Sequence, residues 1–293
     1  MYEHHEPLRR GRRTGGDDVK KKNTGGMALT VLLYIFLYAP IILMIVFSFN
    51  DSKSRTVWAG FTLRWYRELF LDDLIMSSLR TTIEVSVLAS LISAVAGTYA
   101  AIGFYNMKKS WRKPLLTVNN IPVVNADIIT GVSLALLFVS AGRFMGFSLG
   151  FGTLLLAHIS FDIPYVILSV MPKLYQLDQN LFEAAQDLGC TWFETINKVI
   201  IPEIMPGIVN GLLIAFTMSL DDFVISYFTA GSSVQTLSMT IYAMTRRRIS
   251  PKINAVSTLL FAVVLLLLLV VNAREARQHR LELKKEKLLK GAV

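Results

Sequence analysis

The chain has 293 residues, of which 53% are hydrophobic and only 17% charged, a balance that excludes an ordinary soluble domain and favours a membrane protein. In a soluble chain, the formal net charge of +9 would suggest nucleic-acid binding. Here the basic residues flank long apolar runs, so we expect membrane lipid, and no nucleic acid, as their partner. The single cysteine, Cys190, excludes an internal disulfide framework, and the four histidines lack metal-ligand spacing, so no metal site is expected.

A membrane-spanning helix needs about 20 mainly apolar residues to cross roughly 30 Å of hydrocarbon. Residues 1–26 form a charged tail without a signal-peptide cleavage site before the first apolar run. Six runs of sufficient length follow, at about 27–49, 79–104, 115–140, 147–171, 204–230 and 253–272. A second charged tail covers residues 273–293. The sequence therefore predicts an all-α polytopic membrane protein, with a transmembrane domain over 27–272 between two polar tails.

The second, third and fourth runs differ from simple lipid-facing helices. The second is rich in small residues between Ala89 and Ala100, which allow close helix approach. Proline and polar residues interrupt the third and fourth runs: Pro122, Asn125, Asp127, His158, Asp162 and Pro164. We expect these two runs to be bent and to face protein or water rather than lipid.

The distribution of lysine and arginine predicts the orientation in the membrane. With a cytoplasmic N-terminus, the basic residues of both tails and of the loop at 108–113 lie on the cytoplasmic side, and the opposite loops hold fewer. The positive-inside rule therefore places both termini in the cytoplasm. Arg246, Arg247 and Arg248 are exceptions, because they would lie outside.

The last large cytoplasmic loop, at about 172–203, is predicted to contain two short helices joined by a glycine turn. Apolar residues share one side of the first helix: Leu181, Ala184, Ala185 and Leu188. Gly189 suits the positive φ that ends such a helix. Thr191 is the expected N-cap of the second helix, and Glu194, three residues later, completes a capping box.

This loop resembles the EAA signature of ABC importer permeases: Glu183, Ala184 and Ala185, three further residues, Gly189, and a hydrophobic stretch that ends at Pro202. The resemblance implies a type I ABC importer permease fold with a coupling helix that docks onto a cytoplasmic ATPase subunit. Glu183, Ala184, Ala185 and Gly189 would be the coupling residues.

Nucleotide chemistry is not expected in this chain. It has no GxxxxGK[ST] loop to cradle phosphates, so it is predicted to be a transport subunit and not an enzyme. No cofactor is expected on it, and ATP and Mg would be bound by the partner ATPase.

Acidic residues inside apolar runs need a reason, since each costs about 2.5 to 3.5 kcal/mol on insertion scales. Glu84 has Arg80 one turn before it, which predicts a helical ion pair. Asp127, Asp221 and Asp222 have no obvious basic partner inside a run. An unpaired acidic group favours a cation, and these residues are therefore candidates for a translocation path.

Asp221 and Asp222 cannot face the same direction on a helix, because successive residues point about 100° apart. Ser219, Asp222 and Ser226, at i, i+3 and i+7, would share one face and form a narrow polar stripe suited to a path. The alternative is a pair of packing carboxylates neutralised by burial. For Asp162, local repair of the helix near a proline is as good an explanation as transport.

Two further segments resemble the permeases of bacterial spermidine/putrescine importers: AFTMSLDDFVISYFTAG in the fifth run and YAPIILMIVFSFN in the first. The likeness extends over about 27–272. It implies a place in the bacterial inner membrane, a second, different permease subunit and an extracytoplasmic substrate-binding protein. It also implies a substrate path that includes Trp65, Asp127, Ser219, Asp221 and Asp222. Polyamines are di- or trications, which carboxylates attract and aromatic faces hold by cation–π contact.

Other transport functions stay open. The chain could be an ABC permease for another small solute, because the binding protein usually selects the cargo, and the basic residues 246–248 would repel a polycation unless they bind an acidic face of that protein. A secondary transporter could use the same carboxylates as proton relays, although the EAA-like loop argues against it. An intramembrane protease is disfavoured, since GxGD and HExxH motifs are absent.

Overall fold

The computed structural model describes residues 24–52, 57–178, 180–247 and 251–291. Within these ranges the regular secondary structure is helical, apart from an isolated antiparallel bridge between Asn50 and Phe61. The helices are α1 (Thr24–Ser48), α2 (Arg64–Phe70), α3 (Asp73–Asn106), α4 (Lys109–Val124), α5 (Asp127–Met145), α6 (Phe151–Gln176), α7 (Asn180–Asp187), α8 (Trp192–Thr195), α9 (Ile201–Asp221), α10 (Val224–Thr229), α11 (Leu237–Arg247) and α12 (Pro251–Gly291).

Six of the described helical segments are long and apolar enough to cross a membrane, which confirms the predicted number. They are Leu29–Ser48, Asp73–Asn106, Asp127–Met145, Phe151–Gln176, Trp192–Asp221 and Pro251–Arg274. The most apolar windows of the second and fourth segments are each 56% buried within the protein. Burial of this extent agrees with the prediction that the fourth run faces protein.

The third apolar run, predicted as one span over 115–140, is two helices in the structure. α4 ends at Val124 and α5 begins at Asp127, because Asn125 between them has extended backbone angles (φ −73°, ψ 151°). Asp127 therefore lies in the first turn of α5, which corrects the prediction that it interrupts a single span over 115–140. The Nδ2 atom of Asn125 donates a hydrogen bond to Oγ1 of Thr130 over 3.3 Å and supports this corner.

The fifth run, predicted as one helix over 204–230, is also divided. α9 ends at Asp221, Asp222 adopts extended angles (φ −59°, ψ 130°), and α10 follows. The assumption of one continuous helical face for Ser219, Asp222 and Ser226 is therefore wrong. These three residues nevertheless meet, through a tertiary contact that helical periodicity does not describe.

From Met44 onward, the main packing is made by α3, α6 and α9. Small residues allow the close approach, as predicted for the second run. A β-carbon added to Gly97 of α3 would lie 2.8 Å from the β-carbon of Val166 on α6, and one added to Gly211 of α9 would lie 3.1 Å from the α-carbon of the same valine. Val166 is fully buried in the apolar cluster that these helices share.

The two ends of the chain are simpler. The part of α1 up to Leu43 belongs to a separate compact unit and is an apolar helix whose large side chains, such as Phe36, are exposed. α12 continues through the apolar run into the basic C-terminal segment without a break, as far as Gly291. Residues 1–23 of the predicted N-terminal tail and Arg248 lie outside the described residues.

Candidate functional site

The predicted coupling loop contains the expected helix, glycine turn and second helix. α7 ends in a Schellman motif, in which the amide of Cys190 donates to the carbonyl of Ala185 over 3.2 Å and the amide of Gly189 donates to that of Gln186 over 2.8 Å. Gly189 has φ +89°, a left-handed conformation that side chains other than glycine rarely adopt. The glycine therefore fixes the angle at which the two helices meet.

The second helix of the loop begins with the predicted capping box. Oγ1 of Thr191 accepts from the amide of Glu194 over 3.3 Å, and Oε2 of Glu194 accepts from the amide of Thr191 over 3.1 Å. Lys198 donates to Oε1 of the same glutamate over 2.7 Å. A π-helical turn over Ile196–Ile200 then joins the loop directly to α9. Because the backbone stays helical across this junction, displacement of the loop would be passed to α9.

The loop has a buried side and an exposed side. Leu181 and Phe182 pack on the central apolar cluster and Ala185 is buried. Glu183 and Ala184 are exposed, and so are the large apolar side chains of Leu188, Trp192 and Phe193 that follow them. The predicted shared side for Leu188 and Ala185 does not hold, since Leu188 is 87% exposed. An acidic residue beside exposed apolar side chains is suited to protein docking.

A cavity of about 480 Å³ lies next to the coupling loop. Residues from the end of α3, the start of α4, the end of α6 and α7 line it, and those with polar or aromatic side chains are Tyr105, Asn106, Lys109, Arg112, Tyr175, Asp178, Phe182 and Glu183. The guanidinium carbon of Arg112 lies 5.5 Å from the centre of the Tyr175 ring. Glu183, a predicted coupling residue, therefore borders both the cavity and the exposed surface.

The two adjacent aspartates of the fifth run lie in different surroundings, as their adjacent positions predict. Asp221 ends α9 and borders an open groove of about 340 Å³ between α9, α11 and α12, together with Ser238. Asp222 lies in the break itself, where its Oδ1 accepts from the amide of Ile225 over 3.2 Å and its Oδ2 accepts from the amide of Ser226 over 2.7 Å. Asp222 thus holds the first turn of α10.

His158 of α6 connects these residues, and the sequence alone did not place it in the site. Its Nδ1 lies 2.6 Å from Oγ of Ser219, and its Nε2 lies 3.0 Å from Oγ of Ser226 and 3.6 Å from Oδ2 of Asp222. The histidine is 1% exposed. A polar residue within the apolar fourth run was the available signal, but its partners are more than 60 positions away along the chain.

Asp162 lies one turn after His158 on α6 and was given no preferred role by the sequence. It is fully buried, and neither of its carboxylate oxygens has a hydrogen-bond partner among the described residues. It interacts electrostatically with Asp222. A buried carboxylate without a partner is unfavourable, so this residue adds a destabilising group to the centre of the protein.

The remaining predicted path residues lie in other surroundings. Asp127 is exposed in the first turn of α5 and interacts electrostatically with Tyr165 of α6. Trp65 is 2% exposed, and its indole Nε1 donates to the backbone carbonyl of Asn50 over 2.7 Å. The guanidinium of Arg64 lies 4.4 Å above the Trp65 ring. Among the described residues, no hydrogen bond, ion pair or ring contact joins Trp65 to the aspartates.

Two further expectations concern charged residues. Nε of Arg80 lies 2.7 Å from Oε1 of Glu84, which confirms the predicted helical ion pair. The guanidinium of Arg246 lies 4.8 Å over the Tyr242 ring, so part of the basic segment at 246–248 packs on α11 itself. Within the described ranges no group of three or more histidine, cysteine or acidic side chains is arranged to hold a metal ion.

Comparisons with known proteins agree on one family. Residues 93–280 match the family model described as binding-protein-dependent transport system inner membrane component. The chain is 38% identical over 241 residues to the putrescine transport system permease protein PotI of Escherichia coli (strain K12), an alignment that covers 81% of this chain and 86% of that protein. It is 33% identical over 237 residues to the spermidine/putrescine transport system permease protein PotC of the same strain, covering 81% and 88%.

The fold has solved counterparts. One is a chain of a bacterial ABC transporter involved in the import of the acidic polysaccharide alginate, which aligns with a TM-score of 0.63 and is 18% identical in sequence. The alignment covers 87% of this chain and 95% of the alginate transporter's chain. At this identity the likeness concerns the fold alone, which is that of an ABC importer permease. The family match and the sequence identities to its relatives show that the chain belongs to the family of binding-protein-dependent transport system inner membrane components.

Proposed function

We propose that this chain is the permease subunit of an ATP-driven importer of polyamines, such as putrescine and spermidine, in the bacterial inner membrane. The observation that carries the substrate class is the 38% identity, over 81% of the chain, to a putrescine transport system permease protein. Organic di- and trications also suit the acidic residues near the α9–α10 break, because carboxylates attract ammonium groups.

The acidic residues are proposed to act at different points of the path. Asp221 borders an open groove and Asp127 is exposed at the start of α5, so both carboxylates are accessible to an amine. Asp222 and Ser219 lie at the break between α9 and α10. Trp65 is proposed to act from its buried position in α2, where the guanidinium of Arg64 already lies over its ring.

The coupling loop is proposed to bind a cytoplasmic ATPase subunit through Glu183, Ala184 and the exposed apolar side chains next to them. Ala185 and Gly189 would set the shape of the coupling loop, since Ala185 is the buried residue of α7 and Gly189 has positive φ. ATP and Mg would be bound by the ATPase. Both termini would be cytoplasmic, which agrees with the positive-inside distribution of lysine and arginine.

Two more partners complete the proposal. A second, different permease subunit would pair with this chain, as the family resemblance implies. A substrate-binding protein would deliver the cargo from outside, and the alginate ABC transporter of similar fold has been solved in complex with an alginate pentasaccharide-bound periplasmic protein.

The test is uptake by the assembled transporter in vesicles that contain ATP. We expect uptake of labelled putrescine or spermidine that requires the ATPase, the binding protein and ATP, and no uptake of a neutral sugar of similar size. Uptake without the ATPase would overturn the importer mechanism. ATP-dependent uptake of another solute, with none of either polyamine, would overturn the substrate class.

A further inference from the structure

One histidine ties together both sides of the break between α9 and α10. Ser219 lies in the last turn of α9 and Ser226 in the first turns of α10, and the imidazole of His158 lies within hydrogen-bond distance of both hydroxyls, at 2.6 and 3.0 Å. The serines are 3% and 0% exposed. The imidazole of His158 on α6 therefore joins the end of α9 to the start of α10 across the break in the helical backbone.

The same contact determines where the Asp222 carboxylate lies. Ser226 offers its hydroxyl to His158 and donates its amide to Oδ2 of Asp222 over 2.7 Å. The imidazole Nε2 lies 3.6 Å from that oxygen. The histidine, the serine and the aspartate thus form one buried cluster, in which displacement of α10 would also displace the carboxylate.

The bridge does not depend on the protonation state of the histidine. A neutral imidazole donates from one nitrogen and accepts at the other, an imidazolium donates from both, and a serine hydroxyl can act in either sense. Asp222 at 3.6 Å balances the charged form. Two further carboxylates interact electrostatically with Asp222: Asp162 of α6 and Asp221 at the end of α9. The geometry therefore favours a mechanical role over that of a proton switch.

We propose that His158 is a positioning residue for the cation path. By holding Ser219 and Ser226 together, it keeps the α9–α10 break in one conformation and keeps the Asp222 carboxylate turned into the first turn of α10. The role in transport rests on the proposed function, because it requires Asp222 to act on the cargo. The bridge itself does not require it, and the two are tested by separate measurements.

The bridge is tested by thiol labelling of the assembled transporter in vesicles. The chain carries Cys190→Ser to remove its own thiol and Ile225→Cys as a reporter, because Ile225 is 1% exposed and packs beside Ala157 and Phe161. The rate of alkylation by a water-soluble maleimide is compared with and without His158→Ala. Two buried hydrogen bonds are removed by that change, so we expect the rate to rise at least about tenfold.

Two companion variants make the result specific. Ser219→Ala combined with Ser226→Ala removes the same bonds from the other side and should raise the rate similarly, and it serves as the test if His158→Ala does not assemble. Ser93→Ala is the control, since Ser93 is also fully buried and donates to α6, at the carbonyl of Ile159 over 3.2 Å. The control rate should stay within about twofold.

Putrescine uptake by the same variants gives the second measurement. We expect the bridge variants to raise the apparent KM more than they lower the maximal rate, since a displaced carboxylate binds the cation less well. An unchanged labelling rate in both bridge variants would overturn the inference, whatever the uptake. Faster labelling with unaltered uptake would support the bridge and count against Asp222 as a path residue in the proposed function.

Discussion

Gly97 on α3 faces Val166 on α6 at a distance that leaves no room for a side chain, since an added β-carbon would lie 2.8 Å from both Cβ and Cγ1 of the valine. Val166 is 0% exposed and in turn contacts Gly211 of α9. The three helices at the centre of the fold therefore meet at one valine, which packs against a glycine on each of the other two helices. Because the valine β-carbon is anchored to the backbone, relief of a clash here requires α3 and α6 to move apart.

Gly97→Ala is expected to destabilise the protein by about 1 to 3 kcal/mol, the usual cost of inserting a methyl group into a packed core. Gly103→Ala on the same helix is the matched control, because an added β-carbon there meets nothing within 4 Å. Alanine is also the better helix former, so the control should be neutral or stabilising. Thermal unfolding of both variants in detergent distinguishes them, and equal midpoints would contradict the close packing of α3 against α6.

Gly189→Ala is expected to lower ATP-dependent uptake while leaving membrane insertion intact. Nothing lies within 4 Å of the added β-carbon, so the whole effect comes from the φ of +89°, which costs about 1 to 2 kcal/mol for an ordinary side chain. Gly189→Asn should retain more activity, because asparagine tolerates the left-handed region. Equal loss in both variants would show that the turn conformation is not what matters.

Glu183→Gln is expected to weaken copurification of the ATPase subunit, since an exposed carboxylate of the proposed docking surface is neutralised. Glu203→Gln is the control, as Glu203 is an exposed carboxylate in the first turn of α9, outside α7. The amount of ATPase retained per permease after washing is the measurement. Full retention with Glu183→Gln would remove this residue from the docking surface.

Asp222→Asn should lower the thermal stability of the protein, whereas Asp162→Asn should not. Neither oxygen of Asp162 has a hydrogen-bond partner among the described residues, so its replacement by an amide of similar shape breaks no hydrogen bond and should leave the thermal midpoint unchanged or raise it. Asp222 accepts two backbone amides with two oxygens, and an amide side chain keeps only one acceptor, so its midpoint should fall by an amount that corresponds to about 1 to 3 kcal/mol. A lower midpoint for Asp162→Asn would reveal a partner of that carboxylate.

Cys190 offers a direct test of orientation, because it is the only cysteine of the chain and lies between Gly189 and the capped second helix. A cytoplasmic loop predicts that a membrane-impermeant maleimide labels it in inside-out vesicles and not in right-side-out vesicles. The variant Cys190→Ser supplies the background. Labelling from the extracytoplasmic side would reverse the proposed topology and separate the loop from any cytosolic ATPase.

Much of this architecture could be predicted from the sequence, because the responsible interactions are local. The length of an apolar run determines whether it can span a bilayer, whatever surrounds it. The glycine turn at Gly189 and the capping box of Thr191 and Glu194 involve backbone groups within three to five positions of one another, and the structure has both. The ion pair of Arg80 and Glu84 is likewise a contact between successive turns of one helix.

The sequence predicted a bend in the third run but not that the third and fifth runs are each divided into two helices. The run at 204–230 has the hydropathy of a continuous helix, yet it ends at Asp221 and resumes after an extended residue. Asp222 stabilises that break by accepting amides from α10, and His158 stabilises it from α6. The same limit applies to the run at 115–140, where Asp127 begins a helix instead of interrupting one.

The sequence by itself therefore determined the class of protein, the number of spans and the shape of the coupling loop, because hydrophobic length, capping and glycine turns act between neighbours along the chain. Only the tertiary structure decided which polar residues meet. It brings His158 to Ser219 and Ser226, more than 60 positions away, and it bonds Trp65 to Asn50. It gives the carboxylate of Asp162 no hydrogen-bond partner among the described residues. The physical reason is that a buried polar group takes its partner from whichever helix packs against it. Helix packing is a property of the whole fold and not of the local sequence.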